Sequence, residues 1–106
     1  MGQLLREGEG VPDFVLLDTL SEQAVFENML MRYKKDQIYT YIGPVIVAVN
    51  PFKKIDKLYT DECIKSYKGR EVYEVQPHIF ALADNAYRNL LKSAHNQVRH
   101  AYCRWW

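Results

Sequence analysis

Cysteine, clustered glycine and unbalanced charge are all scarce in this chain. Cysteine occurs twice, at Cys63 and Cys103, far apart and in no CxxC pair. That spacing offers no disulfide framework and leaves two reduced thiols of a cytosolic protein as the expectation. The 5 glycines never gather into either common phosphate-cradling loop. Net charge is +1, so no general basic field argues for nucleic acid or an acidic membrane surface. No apolar stretch approaches the roughly 18–20 residues of a membrane span. The opening "MGQLLREGEGVPDF" has no apolar core of a signal peptide, and Arg6 stands where a myristoylation signal wants Ser or Thr. Catalytic signatures are missing too. There is no GxSxG, no HExxH, no Cys/His pair with an orienting third group, and the carboxylates are scattered. His78, His95 and His100 lack the spacing of metal ligands. For His78 the ordinary reading is a packed or solvated side chain. An independent small enzyme is therefore disfavoured.

What is present suits one small soluble domain: 106 residues, 48% apolar and 25% charged. Residues 1–12 hold three glycines and a proline and are expected to be a loose lead-in. "DFVLLDTL" is expected to pack as an irregular or extended piece. A helix is predicted over Glu22–Lys34. Thr19, with Glu22 at capping-box spacing, or alternatively Ser21, would cap it. Its stripe Phe26, Met29, Leu30 and Tyr33 recurs at i, i+3, i+4, i+7 and is expected to face the core. "QIYTYIGPVIVAVN" reads as a hairpin. Gly43 takes the positive φ of a two-residue turn and Pro44 the second position.

The second strand, Val45 to Val49, is apolar on both faces and does not alternate. Such a strand belongs mid-sheet, covered above and below. A short helix is predicted from Thr60 to Tyr67, with Thr60 as cap and Gly69 as terminator. A longer helix follows, with Pro77 in its first turn. Its stripe is Ile79, Leu82, Ala83, Ala86, Tyr87, Leu90 and Leu91, and Lys92 suits its negative end. The end, "VRHAYCRWW", shows no period and no cap. It reads either as a basic-aromatic arm for nucleic acid or lipid, or as a loosely packed terminus.

The exit of the central strand carries the sharpest chemical signal. Asn50 offers an amide, Pro51 halts the ladder, Phe52 and Tyr59 offer flat faces, and Lys53 and Lys54 offer charge. Ligands of buried sheets gather beyond strand carboxyl ends. An amide, an aromatic plate and a lysine could cradle a purine nucleotide. The competing reading is simply an Asn-Pro turn.

Four phrases in order resemble the start of the myosin motor domain: "GVPDFVLLDTLSEQAVFENMLMRY", "QIYTYIGPVIVAVNPFK", "LYTDECIKSYKGR" and "PHIFALADNAYRNLL", followed by "NQ". The likeness runs from about Gly10 to Gln97. The short lead before it is similar to class I or other short-headed unconventional myosins. The resemblance implies an α/β fold, part of a P-loop NTPase-type motor head with helices and a hairpin from its central sheet. It implies residues 1–9 as lead-in, 10–97 as the incomplete N-terminal part of the motor, and 98–106 as a divergent tail. It also implies that Asn50, Pro51, Phe52, Lys53 and Tyr59 line the adenine end of an ATP site. The loop "NPFKKIDKLY" is one residue longer than the family's between Asn and Tyr.

After "NQ" the family continues with an apolar strand and a GESGAGKT phosphate loop, where this chain has "VRHAYCRWW". The resemblance therefore implies ATP and Mg²⁺ as cofactors of the parent motor and an actin filament as its partner. It implies a place in the cytoplasm and cytoskeleton, and no nucleic acid or membrane segment. A truncated stretch, lacking the phosphate loop and the actin-binding surface, is expected to bind nucleotide weakly and to be inactive alone. It is also expected to be marginally stable and to associate, because Val45–Val49 would expose an edge or face. The alternative is a small independent interaction module whose helices form the domain and whose basic-aromatic end docks a partner.

Overall fold

The computed structural model describes residues 10–17 and 20–104. Among them are helices α1 (Glu22–Lys34), α2 (Asp61–Tyr67) and α3 (Ile79–Ser93), and strands β1 (Tyr39–Ile42), β2 (Val45–Val49) and β3 (Ala101–Arg104). Single 3₁₀ turns occur at Phe14–Leu16 and Val72–Glu74. The sheet order is β1-β2-β3, with β2 antiparallel to β1 and parallel to β3. The fold is α/β, with a mixed three-stranded sheet between helices.

The apolar run of β2 occupies the centre, as its lack of alternation predicts. Ile46, Val47 and Val49 are buried. The two-residue period assigns the faces. Ile46 and Tyr41 share one face with Tyr39 and pack with Leu82 of α3. Val47 and Thr40 share the other, where Arg32 of α1 donates to the Thr40 hydroxyl at 3.0 Å. Burying Ile46 completely contributes about 1.5–3 kcal/mol. The hairpin forms as expected, with Gly43 at φ 56. Asp13 Oδ1 clips it in place, accepting from the Gly43 N–H and from the Val15 N–H, each at 3.1 Å.

Five expectations need correction. First, Val45–Val49 presents no open edge, because β3 pairs along it from Ile46 to Val49. Second, and by the same pairing, the terminal stretch does not lie loose over Ala101–Arg104. Backbone pairing needs no side-chain period, so no local pattern marks it. Trp105 and Trp106 lie outside the described residues, as do residues 1–9 and Thr19.

Third, the lead-in is not loose at its end. Val11 is buried, and the Tyr41 N–H donates to the Pro12 carbonyl at 2.9 Å. Fourth, α1 has the predicted bounds, with the Ser21 hydroxyl accepting from the Ala24 N–H at 3.1 Å, but its buried residues are Asn28 and Arg32. Phe26 is exposed, while Met29, Leu30 and Tyr33 are half-buried. The surfaces beneath α1 offer backbone polar groups, and polar side chains answer them. Asn28 binds both the N–H and the C=O of Val11, and Arg32 donates to the Tyr39 carbonyl at 2.9 Å. Burial pulls the Arg32 pKa down to about 10.

Fifth, α3 begins at Ile79 behind a His78 cap, with Pro77 buried just before it. The His78 ring supplies the acceptor that an N-terminus requires, so Pro77 is left outside the first turn. Only the start of the α3 stripe is covered. Leu82 is buried and Ile79 and Ala86 half-buried, whereas Ala83, Tyr87, Leu90 and Leu91 are exposed. A 15-residue helix is about 22 Å long, longer than the sheet's strands or its width of roughly 10 Å between outer strands. The α2 cap is as predicted: Thr60 Oγ1 accepts from the Cys63 N–H at 3.2 Å, and Gly69 follows at φ 70.

Candidate functional site

The polar loop from Asn50 to Lys53 leaves the carboxyl end of β2. β2 ends at Val49, opposite the end of β3 at Arg104, and β1 begins beside it with Tyr39 opposite Ala48. A parallel pair therefore presents both carboxyl ends here, the arrangement in which ligands of open sheets are held.

Asn50 Oδ1 accepts the Phe52 N–H at 2.8 Å, closing an Asx turn. Its Nδ2 donors are the amide's remaining capacity. The turn carries Phe52 into the left-handed region at φ 53, a conformation that costs a non-glycine residue about 1–2 kcal/mol. Lys57 is held likewise at φ 61. Two such residues in one short loop mark a backbone fixed by its surroundings. Those surroundings are identifiable. Pro51 offers its carbonyl to the Tyr33 hydroxyl at 3.3 Å, and Ile55 and Leu58 pack against the core. Phe52 keeps 64% of its surface exposed.

Lys53 Nζ lies 2.7 Å from Asp36 Oδ1, in the turn after α1. That bond raises the lysine pKa and keeps it charged. Both partners are exposed, so the pair fixes position more than it stabilises.

Tyr59 stands at the start of β1. Its hydroxyl lies 2.6 Å from the Tyr39 hydroxyl, and its ring meets His78 edge-on at 5.5 Å and Phe80 at 6.0 Å. More than half of Tyr59 remains open to solvent. Burial first, then the bond to Tyr59, pushes the Tyr39 pKa well up, so this phenol stays neutral. His78 is buried beneath the pair. Its Nδ1 accepts the Phe80 N–H at 2.9 Å, so the ring proton resides on Nε2, which donates to the Leu58 carbonyl at 2.8 Å. Burial lowers its pKa, partly opposed by that carbonyl.

The site residues thus form two groups. Asn50 to Lys53 sit against the C-terminal turn of α1, and Tyr59 sits against Tyr39 and the N-terminus of α3. Asp36 and Tyr39, three positions apart, link them through the start of β1. Sequence reasoning missed Tyr39, which it read only as a strand former, and the contact of His78 with the loop. Neither partnership leaves a local signal, since both bridge about twenty residues of chain. Two surface concavities among the described residues lie elsewhere. One of about 510 Å³ is lined by Phe14, Val25, Phe26, Met29 and Tyr102, and one of about 350 Å³ by Gly43, Pro44, Asn85 and Arg99. Among the described residues no cluster of three potential ligands could hold a metal ion, and no helix is long and apolar enough to cross a membrane.

Residues 11–99 match the family model for the myosin head (motor domain). The chain belongs to the myosin motor-domain family. Class I myosins are among its relatives. The chain is 53% identical over 91 residues to the Myosin IE heavy chain of Dictyostelium discoideum, covering 86% of this chain and 9% of that protein. It is 47% identical over 97 residues to the Myosin heavy chain IB of Acanthamoeba castellanii, covering 92% and 8%. It is 46% identical over 93 residues to the Unconventional myosin IC of Drosophila melanogaster, covering 87% and 9%. The chain spans less than a tenth of the length of these relatives.

Proposed function

We propose that this chain is the N-terminal part of an actin-based, ATP-driven motor of the P-loop NTPase type. Asn50, Pro51, Phe52, Lys53 and Tyr59 form the adenine end of its nucleotide site. One observation carries the reading. A fully apolar central strand ends at its carboxyl end in a polar loop held rigid by an Asx turn, a Lys53–Asp36 pair and two left-handed residues. A preformed loop of that kind binds a ligand without first losing its own entropy. Phe52 and Tyr59 supply faces for a base, worth about 1–3 kcal/mol per stacked base. Asn50 supplies amide donors, and Lys53 supplies charge.

These 106 residues contain no phosphate-cradling glycine loop. The groups that hold phosphates and Mg²⁺, and the surface that meets actin, lie outside this stretch in the proposed motor. The stretch alone then binds ATP weakly, since it offers base and amide contacts but no cradle for the phosphates. The proposed setting is the cytoskeleton of the cytoplasm. The alternative, a free-standing interaction module, is weakened because its arm does not project as far as Arg104. Arg99 donates to Asn85 Oδ1 at 3.1 Å, and Ala101–Arg104 joins the sheet.

The test is a complete motor head carrying this segment, with Asn50→Ala and Lys53→Ala. Each loses one polar contact worth about 1–1.5 kcal/mol, so nucleotide affinity falls about tenfold. Unaltered affinity and turnover in both variants would remove Asn50 and Lys53 from the site.

A further inference from the structure

We infer that His78 is a positioning residue for the adenine end of the site, setting the place of Tyr59 through two bonds made by opposite sides of one buried ring. The inference rests on the assignment of Tyr59 made above.

His78 is 1% exposed, and both ring nitrogens are engaged. Nδ1 faces inward along the chain and caps α3 at the Phe80 N–H. Nε2 reaches across 20 residues to the carbonyl of Leu58, the residue immediately before Tyr59. The same ring lies 5.5 Å from the Tyr59 ring and 5.0 Å from each of the Tyr39 and Tyr67 rings. Cys63 Sγ lies 3.9 Å from Nε2. The Leu58 carbonyl and the Tyr59 ring thus rest on one imidazole, and the imidazole rests on the start of α3. Tyr39 completes the bracket by meeting the Tyr59 hydroxyl at 2.6 Å. Tyr59 is otherwise more than half exposed and follows a loop with a left-handed residue at Lys57. Without the bracket its ring has little to hold it.

The two nitrogens can be separated by substitution. Asparagine places an acceptor near Nδ1 and is a strong helix cap, but it does not reach Leu58. Glutamine places an N–H near Nε2 and reaches Leu58, but it gives up the cap. A purely structural histidine would respond to loss of the cap. A positioning histidine responds to loss of the Leu58 bond.

The experiment compares His78→Asn, His78→Gln and Tyr59→Ala in a complete motor head carrying this segment. ADP is measured against pyrophosphate, which has no base to place. We expect His78→Asn to weaken ADP five- to tenfold and to change pyrophosphate by less than twofold. His78→Gln should retain ADP binding within about twofold while lowering the melting temperature. Equal losses of ADP and pyrophosphate in His78→Asn, or an ADP loss that follows the cap in His78→Gln instead, would overturn the inference. So would normal ADP binding in His78→Asn when Tyr59→Ala binds ADP poorly. If Tyr59→Ala itself binds ADP normally, the assignment of Tyr59 falls, and the role of His78 falls with it.

Discussion

Replacing Asn28 should expose how strongly polar burial fixes this fold. Its side chain is 1% exposed and works as a two-armed clamp. Oδ1 accepts the Val11 N–H at 2.6 Å, and Nδ2 donates to the Val11 carbonyl at 3.0 Å. Val11 is itself 5% exposed, so neither group has easy access to water. Asn28→Ala leaves one donor and one acceptor unmet, at about 1–3 kcal/mol each. Some water entry is expected, giving about 2–4 kcal/mol in total. For a chain of this size 1 kcal/mol moves the melting temperature by about 4 °C or more, so the midpoint should fall by roughly 8–16 °C. Circular dichroism against temperature reads this directly. Hydrogen exchange adds a local readout: the Tyr41 N–H, held by the Pro12 carbonyl, should lose protection first.

Asn28→Asp sharpens the test. It keeps an acceptor for the Val11 N–H but sets a second oxygen against the Val11 carbonyl. Burial and that carbonyl raise the new carboxyl above its unfolded value of about 3.9. A group of this sign costs stability progressively as pH rises from about 4 through its folded pKa. The aspartate variant should therefore be less stable than the alanine variant at pH 7 and should recover near pH 4. A midpoint change under about 3 °C for Asn28→Ala, or a pH-independent aspartate variant, would refute the clamp.

Two further outcomes follow from the same structure. Burial lowers the His78 pKa, so the unfolded chain takes up a proton near pH 6.5 before the folded one does. Stability should be full above that pH and fall as pH drops below it, by at most about 1.4 kcal/mol per unit. His78→Gln should flatten this slope in urea titrations. The groups facing the ring are Tyr39, Tyr59, Tyr67 and Cys63. Gly43 sits at φ 56 with nothing within 4 Å of an added Cβ. Gly43→Ala should cost only the backbone term of about 1–2 kcal/mol, and Gly43→Asn clearly less, by urea unfolding.

Local rules reached much of this fold. The Ser21 option and the period of α1 set its bounds, Gly43-Pro44 placed the hairpin, Thr60 placed α2, and the unbroken run of β2 placed it mid-sheet. Each depends on residues within a few positions of one another. What stayed hidden depends on partners far along the chain. Hydrophobic periodicity missed the most buried residues of α1, because Asn28 and Arg32 are inside to satisfy backbone groups of Val11 and Tyr39. No apolarity scale registers that demand. β3 joins the sheet by backbone pairing with β2. At the candidate site Asn50 to Lys53 could be read from the abrupt end of the strand, while the Tyr39–Tyr59 bond and the His78 bracket could not.

The exposed half of the α3 stripe follows from the same distinction between a pattern and the surface it serves. Tyr87, Leu90 and Leu91 recur at helical spacing, yet they are 60%, 42% and 66% exposed. Covering such side chains contributes about 1.5–3 kcal/mol each when complete. Three of them together approach the net stability of an ordinary small domain, about 5–15 kcal/mol. A stripe of that worth is not accounted for by a three-stranded sheet shorter than the helix. The relatives matched by this chain are roughly ten times its length. The exposed apolar surface lies on α3 and at Phe26 on α1, not on β2, whose two edges are both paired. The same reasoning explains why β2 can be so uniformly apolar: strands on both sides and helices on both faces leave it one polar exit, at Asn50.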